Sequence, residues 1–228
     1  MSAAERDPMY YWDTVVFRVE DRLYKVPRYY FENHSEIFGS TFGLPRTEKT
    51  ASEGQSDDNP FCLPGITAKE FDCLLRIIYP MKPEGDSPTY SISDWRAVLK
   101  LSTMWGMSST RQSAIQNLGR LATSDPVDAI VLAKTYDVPE WLRSGYIELV
   151  KRVQPISVDE AQLIGAQSAI QLFHIREAAL VKQAGHRGYV KYTGTLLDND
   201  VIPMIELVFE EEFEKANAAT QRHLNPSW

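Results

Sequence analysis

The sequence predicts an α/β (α+β) protein in which a small mixed sheet packs with helices and is followed by an all-helical extension. Three observations carry this. Residues 61–80, FCLPGITAKEFDCLLRIIYP, read as a short strand, a Pro-Gly turn and a capped apolar helix. Residues 14–26 read as a strand hairpin, and beyond Asp125-Pro126 the apolar residues recur at helical spacing with no strand pattern among them.

The 61–80 stretch is the organising element. Thr67 followed three residues later by Glu70 is a capping box, in which each side chain satisfies an orphan N–H of the other. Ile66 and Phe71 are placed to form a hydrophobic staple across the cap. Phe71, Leu74, Leu75 and Ile78 then fall on one helical face, and Pro80 stops the run. A strand feeding directly into such a helix is a packing element, with no chemistry in it.

Before it, residues 14–19 (TVVFRV) alternate, with Val15, Phe17 and Val19 on one face. Glu20-Asp21-Arg22 makes a polar turn and residues 23–26 a second strand. Pro27 opens a helical turn where its missing N–H costs nothing. Tyr30, Phe31, Ile37, Phe38 and Phe42 anchor two short helices. Residues 44–60, LPRTEKTASEGQSDDNP, have almost nothing to bury and are expected to form a mobile surface loop.

Hairpin, two short helices, variable loop, strand and long apolar helix is an order that resembles the BTB/POZ domain. The family's run after its second strand is matched by Val26, Pro27, Arg28, Phe31, Ser35 and Phe38, and LPGITAKEFDCLLRIIYP looks like its third strand and third helix. Pro27 stands where the family usually has His, Asp13 matches an acidic position with a one-residue offset, and Pro80-Met81 replace a small residue and Gly. VEDRLYKVPRYYFENHSEIF is especially similar to BTB proteins of filamentous and mushroom-forming fungi. The resemblance implies a BTB/POZ domain over residues 13–123.

Residues 81–91 form a Pro- and Gly-bearing connector. Ser91 with Asp94 caps a helix carrying Trp95, Val98, Leu99 and Trp105, ended by Gly106. Ser109 with Gln112 is expected to cap the next, with Ile115, Leu118 and Ala122 as its stripe. Asp125-Pro126 opens the helical half, where Val127, Ile130 and Val131 mark a first helix. Leu142, Tyr146, Leu149, Val150 and Val153 mark a second, entered through Pro139. The third starts at the Ser157–Glu160 capping box and carries Ala161, Ile164, Ser168, Leu172 and Ile175. Residues 124–180 are similar to the helical (BACK-like) extension that follows many BTB domains.

Residues 181–228 form a tail. Lys182, His186, Arg187 and Lys191 cluster around two glycines. Residues 202–216 read as an amphipathic helix, with Ile205, Val208, Phe209 and Phe213 opposite an acidic face. Docking on its own domain is the expectation, and docking on a partner the alternative.

A net charge of −7 opposes nucleic-acid or anionic-membrane binding, 43% hydrophobic and 24% charged residues are globular proportions, and no apolar run approaches a membrane span. The N-terminus has no secretory pattern, and Cys62 and Cys73 read as buried hydrophobes in a reducing compartment, so an intracellular, cytoplasmic or nuclear location is expected. His34, His174, His186 and His223 have no zinc spacing, and no nucleophile elbow, P-loop or dinucleotide fingerprint is present. The Asp57-Asp58 and 210–212 carboxylates read as solvated, and neither cysteine has an evident cationic neighbour to activate it. No catalytic residue, cofactor or metal site is expected.

The resemblance implies a non-enzymatic protein–protein interaction module, scaffold or adaptor. An adaptor for a cullin-type ubiquitin ligase is the alternative, and an enzyme without a recognisable motif the alternative of another class. Adaptors of this family engage the cullin through the loop after the third helix and the helix pair beyond, which places the interface here at Tyr79, Met81, Glu84, Tyr90, Met107 and Arg111. The family's loop motif is an apolar residue, any residue, then Glu, and Met81-Lys82-Pro83-Glu84 is one residue longer. Twelve residues precede Asp13, too few for the helix and strand that dimeric BTB regulators exchange, so monomer and dimer both stay open. No substrate-reading or DNA-binding module is recognisable in the sequence.

Overall fold

Three strands make one sheet in the order β2-β1-β3. β1 (Thr14–Val19) and β2 (Arg22–Pro27) form the antiparallel hairpin, in register from Thr14↔Pro27 to Val19↔Arg22. β3 (Phe61–Cys62) joins β1 in parallel at Phe17↔Phe61. The central position of β1 explains why Val16 is buried along with Val15, Phe17 and Val19, beyond the single face that alternation predicts. Glu20 takes a left-handed φ of 55° in the hairpin turn, and its carboxylate accepts the Ala68 N–H at 2.9 Å. The tight turn is thereby tied to the N-terminus of the next long helix.

This computed structural model describes residues 5–7, 9–43, 53–80, 89–121, 125–185 and 196–224. The chain divides into two compact units, Met1–Leu118 and Gly119–Trp228. The fold class is mixed α+β, rich in helix.

In the first unit, α1 (Tyr29–His34) and α2 (Glu36–Gly43) follow the hairpin. Of the polar loop, residues 44–52 lie outside the described residues, and residues 53–60 are tied to the sheet at Gly54. The Gly54 carbonyl accepts the Val16 N–H at 2.7 Å, and Gly54 itself is buried at φ 76°. A Cβ at Gly54 would lie 2.9 Å from Val15 Cγ2, so glycine is required there. Main-chain pairing holds a segment that has no apolar side chains to bury.

α3 (Ala68–Ile78) starts at the expected capping box, with the Glu70 N–H on Thr67 Oγ1 at 3.2 Å and the Thr67 N–H on Glu70 Oε2 at 2.9 Å. Phe71, Leu74 and Ile78 are buried, and Phe17 sits at the centre of an aromatic cluster, 4.8, 5.5 and 5.6 Å from the rings of Phe31, Phe38 and Phe71. α4 (Ile92–Met104) carries the Ser91–Asp94 box. Trp105 then packs on Phe38 at 5.3 Å, and Gly106 turns the chain at φ 61°. α5 (Ser108–Leu121) begins one residue before the expected Ser109 cap, so Ser109 and Gln112 are helical. Its buried line is Arg111, Ala114 and Leu118, with Ile115 half-buried and Ala122 outside the described residues.

All the regular secondary structure among the second unit's described residues is helical. α6 (Pro126–Tyr136) has Asp125 as N-cap, accepting the Val127 N–H at 3.0 Å. α7 (Pro139–Lys151) buries Leu142, Tyr146, Leu149 and Val150, while Val153 lies beyond its end and is exposed. The third expected helix is two: α8 (Val158–Ile164) keeps the Ser157–Glu160 box, Gly165 breaks the chain at φ 93°, and α9 (Ala166–Gly185) resumes. The amphipathic helix of the tail is likewise two, α10 (Asp198–Val208) and α11 (Glu210–Leu224), parted at Phe209. Val201, Ile205, Phe209 and Phe213 lie in one core with Tyr146, Leu149 and Leu172. The helical core therefore continues past residue 180, and these two helices dock on their own unit. Val208, expected on the buried face, is 40% exposed. No helix among the described residues is long and apolar enough to cross a membrane.

Candidate functional site

Among the described residues β2 is an edge strand, and the hydrogen bonds around β1 establish which of its main-chain groups point outward. The Val16 N–H goes to Gly54, and the Arg18 carbonyl accepts the Leu63 N–H at 2.9 Å, so the main-chain groups of Val16 and Arg18 point away from β2. Their partners across the hairpin, Lys25 and Leu23, are non-hydrogen-bonded pairs whose own N–H and C=O groups point outward. Pro27 ends this edge: it has no N–H, and its carbonyl accepts the Tyr79 hydroxyl at 2.5 Å.

Between this edge and α3 runs a groove of about 730 Å³, lined by residues 24–27 on one side and by Lys69, Asp72, Leu75 and Arg76 on the other, with Tyr79, Pro80 and Tyr90 at one end. Tyr24 forms part of its wall, packed edge-on against Phe71 at 4.9 Å, with its hydroxyl donating to the Ala68 carbonyl at 3.4 Å. Burial pushes the Tyr24 and Tyr79 phenols above their ordinary value, so both remain proton donors. Tyr90 donates to the Arg76 carbonyl at 3.1 Å and packs on Trp95 at 5.4 Å. Asp72 pairs with Arg22 at 3.4 Å and Arg76 with Asp94 at 3.3 Å. Lys25 and Lys69 have no carboxylate partner among the described residues.

Of the expected interface residues, Tyr79 and Tyr90 meet in this groove. Met81 and Glu84 lie outside the described residues. Met107 and Arg111 are 0% and 2% exposed and offer no contact surface. The cause is the turn at Gly106: the Met107 N–H returns to the Ser102 carbonyl at 2.8 Å, which folds the first turn of α5 inward. Leu75, assigned to the core face by its spacing, is only half-buried and belongs to the groove. Lys69, Asp72 and Arg76 at i, i+3 and i+7 flank it, and that polar stripe was the available signal.

Cys73 does have a cationic neighbour. Arg76, one turn on, donates from Nη2 to its Sγ at 3.3 Å, while the thiol donates to Asp94 Oδ1 at 3.2 Å. Burial pushes the thiol pKa up and Asp94 adds to it, against the opposing pull of Arg76, so Cys73 is held as a thiol. Cys62, at the end of the short β3, is exposed instead of buried.

In the second unit Glu212 is not simply solvated. It accepts the Tyr146 hydroxyl at 2.8 Å and pairs with Lys134 at 3.0 Å. Lys134 Nζ also lies 2.8 Å from Ser168 Oγ and 2.9 Å from the Ile164 carbonyl. A serine beside a lysine is the geometry of an activated nucleophile. Here the three ammonium hydrogens are all donated, leaving no lone pair to take the Ser168 proton. The cluster pins α6, α7, α9 and α11 together. No group of three or more His, Cys, Asp or Glu among the described residues is placed to hold a metal ion.

No family model matches the chain, and none of the curated proteins compared with it matches.

Proposed function

We propose that the chain is a non-enzymatic protein–protein interaction module of the BTB/POZ type, acting inside the cell as a scaffold or adaptor. The observation that carries this reading is the groove between β2 and α3, where a sheet edge unpaired among the described residues, an apolar wall and two tyrosines converge at the end of the third helix. Tyr79 and Tyr90, two of the residues at which the family resemblance puts a partner, line one end of it. A concave apolar surface with a few fixed polar groups is a binding surface. The polar clusters at Cys73 and Lys134 are consumed by their own hydrogen bonds and support packing better than turnover.

The cullin adaptor is the second reading. Tyr79 and Tyr90 favour it, whereas the buried Met107 and Arg111 take away the helix-pair half of its surface.

Quantitative affinity capture from cells compares the full chain with a full chain carrying Leu75→Lys, a half-buried groove position. A protein retained stoichiometrically by the first and lost by the second, with circular dichroism and Tm preserved, supports the module. No saturable partner for the unmodified chain overturns it. Titration with the N-terminal domain of the host's cullin separates the two readings: binding at micromolar concentration or below favours the adaptor.

A further inference from the structure

We propose that the groove takes an extended acidic segment of a partner protein, added as a further strand on the outer edge of β2, unpaired among the described residues, with alternate apolar side chains seated against α3. This rests on the interaction-module reading and names the chemistry of its partner.

The edge sets the form of the occupant. Leu23 and Lys25 direct their N–H and C=O groups away from β1, and this repeating pair of donors and acceptors is met by another main chain in extended conformation. Pro27, with no N–H and its carbonyl taken by Tyr79, closes the edge at one end. The added strand is therefore short, and its register is bounded by Tyr79 and Pro27. Side chains of a strand alternate between faces, so every second residue of the segment meets the wall made by Leu75, Tyr79 and Tyr90.

Charge sets its composition. The Asp72 carboxylate is neutralised by Arg22 and the Arg76 guanidinium by Asp94, which leaves Lys25 and Lys69 as the uncompensated charges of the groove among the described residues. A cationic rim on a chain of net charge −7 is opposite to the sign of the whole molecule. It selects carboxylates at the outward positions of the segment. Two lysines are too few for a nucleic-acid backbone, which needs a longer basic track.

The test uses the full chain and a fluorescent peptide of eight residues that alternates valine and glutamate. Its controls are the same peptide with lysine for glutamate, and with the edge-facing amides N-methylated. The acidic peptide is expected to bind with micromolar Kd and to lose about tenfold in affinity with Lys25→Glu plus Lys69→Glu, both exposed positions whose change leaves the fold intact. N-methylation is expected to abolish binding, and amide exchange at Leu23 and Lys25 to slow in the complex. Equal binding of the acidic and basic peptides, no binding of either, or unchanged exchange at Leu23 and Lys25 overturns the proposal. So does self-association of the chain that protects those two amides, since the occupant is then a second copy. A partner captured through Leu75 that fails all the peptide criteria leaves the interaction module standing and removes only the acidic strand.

Discussion

The Tyr79 hydroxyl reaches across to the main chain of β2 and donates to the Pro27 carbonyl at 2.5 Å. Tyr79 is the C-terminal cap residue of α3, so this bond links the end of the central helix to the end of the sheet edge. It closes one end of the groove and satisfies the one outward carbonyl that Pro27 presents. Tyr79→Phe removes the hydrogen bond and keeps the ring. The expected loss is about 1 kcal/mol in urea unfolding, the ordinary net value of a neutral hydrogen bond. An unchanged midpoint would mean that water replaces the phenol at no cost.

The heaviest stability loss in the first unit is expected at the aromatic cluster around Phe17. Phe71 and Leu74 are both 0% exposed, one against the rings of Phe17 and Tyr24 and the other one residue-triplet further along the same face of α3. Phe71→Ala should cost about 3–5 kcal/mol and Leu74→Ala about 2–5 kcal/mol, because each removes transfer energy and leaves a cavity. Two compact units can unfold separately, so the readout is the first-unit transition followed by its two buried tryptophans, Trp95 and Trp105. Little shift in both variants would deny α3 its anchoring role.

What was legible in the sequence is local, and what was not is tertiary. The Thr67–Glu70, Ser91–Asp94 and Ser157–Glu160 boxes and the Asp125-Pro126 start are all present, because a cap is decided by residues within one turn. The breaks at Gly165 and Phe209 escaped a reading by apolar period, since the spacing of buried residues runs on across them. Gly165 offered a signal as the lone glycine inside the run, whereas Phe209 is a core residue and offered none. Tyr79 and Tyr90, expected through the family pattern, both line the groove. Met107 and Arg111 were misplaced because their burial follows from a turn whose consequence is visible only in three dimensions. The Lys134–Ser168 contact joins residues 34 apart, beyond any spacing rule.

The second unit offers a test of the tail. Phe209 lies between α10 and α11 with its ring 4.2 Å from that of Tyr146, and it is 2% exposed. Phe209→Ala should destabilise this unit by about 3–5 kcal/mol, as for a core phenylalanine. Measured by thermal unfolding, a loss confined to the fraying of residues 196–224 would instead make these two helices an appendage.

Acid should act on the second unit through Glu160. Glu160 accepts from Arg152 at 2.7 and 2.5 Å and from the Ser157 N–H at 2.7 Å. The Arg152 hydrogen bonds, with the capping N–H second, hold its carboxyl down at about 2, against 4.5 for an unperturbed glutamate. A depressed folded-state pKa means that the unfolded chain takes up the proton first as the pH falls. The stabilisation is thus complete above about 4.5 and is lost as the pH drops through about 2. Glu160→Gln keeps a side chain that serves the capping box and removes the titration. The Tm difference between the two proteins should be largest near neutral pH and shrink towards zero as the pH approaches 2. Glu70 and Asp94 are also held below their ordinary values, in spite of burial, by Lys100 and Thr67 in one case and by Ser91, Cys73 and Arg76 in the other. They titrate alike in both proteins and cancel in the difference. A Tm difference that stays constant from neutral pH down to acid would show that Glu160 contributes its shape to the cap and not its charge to Arg152.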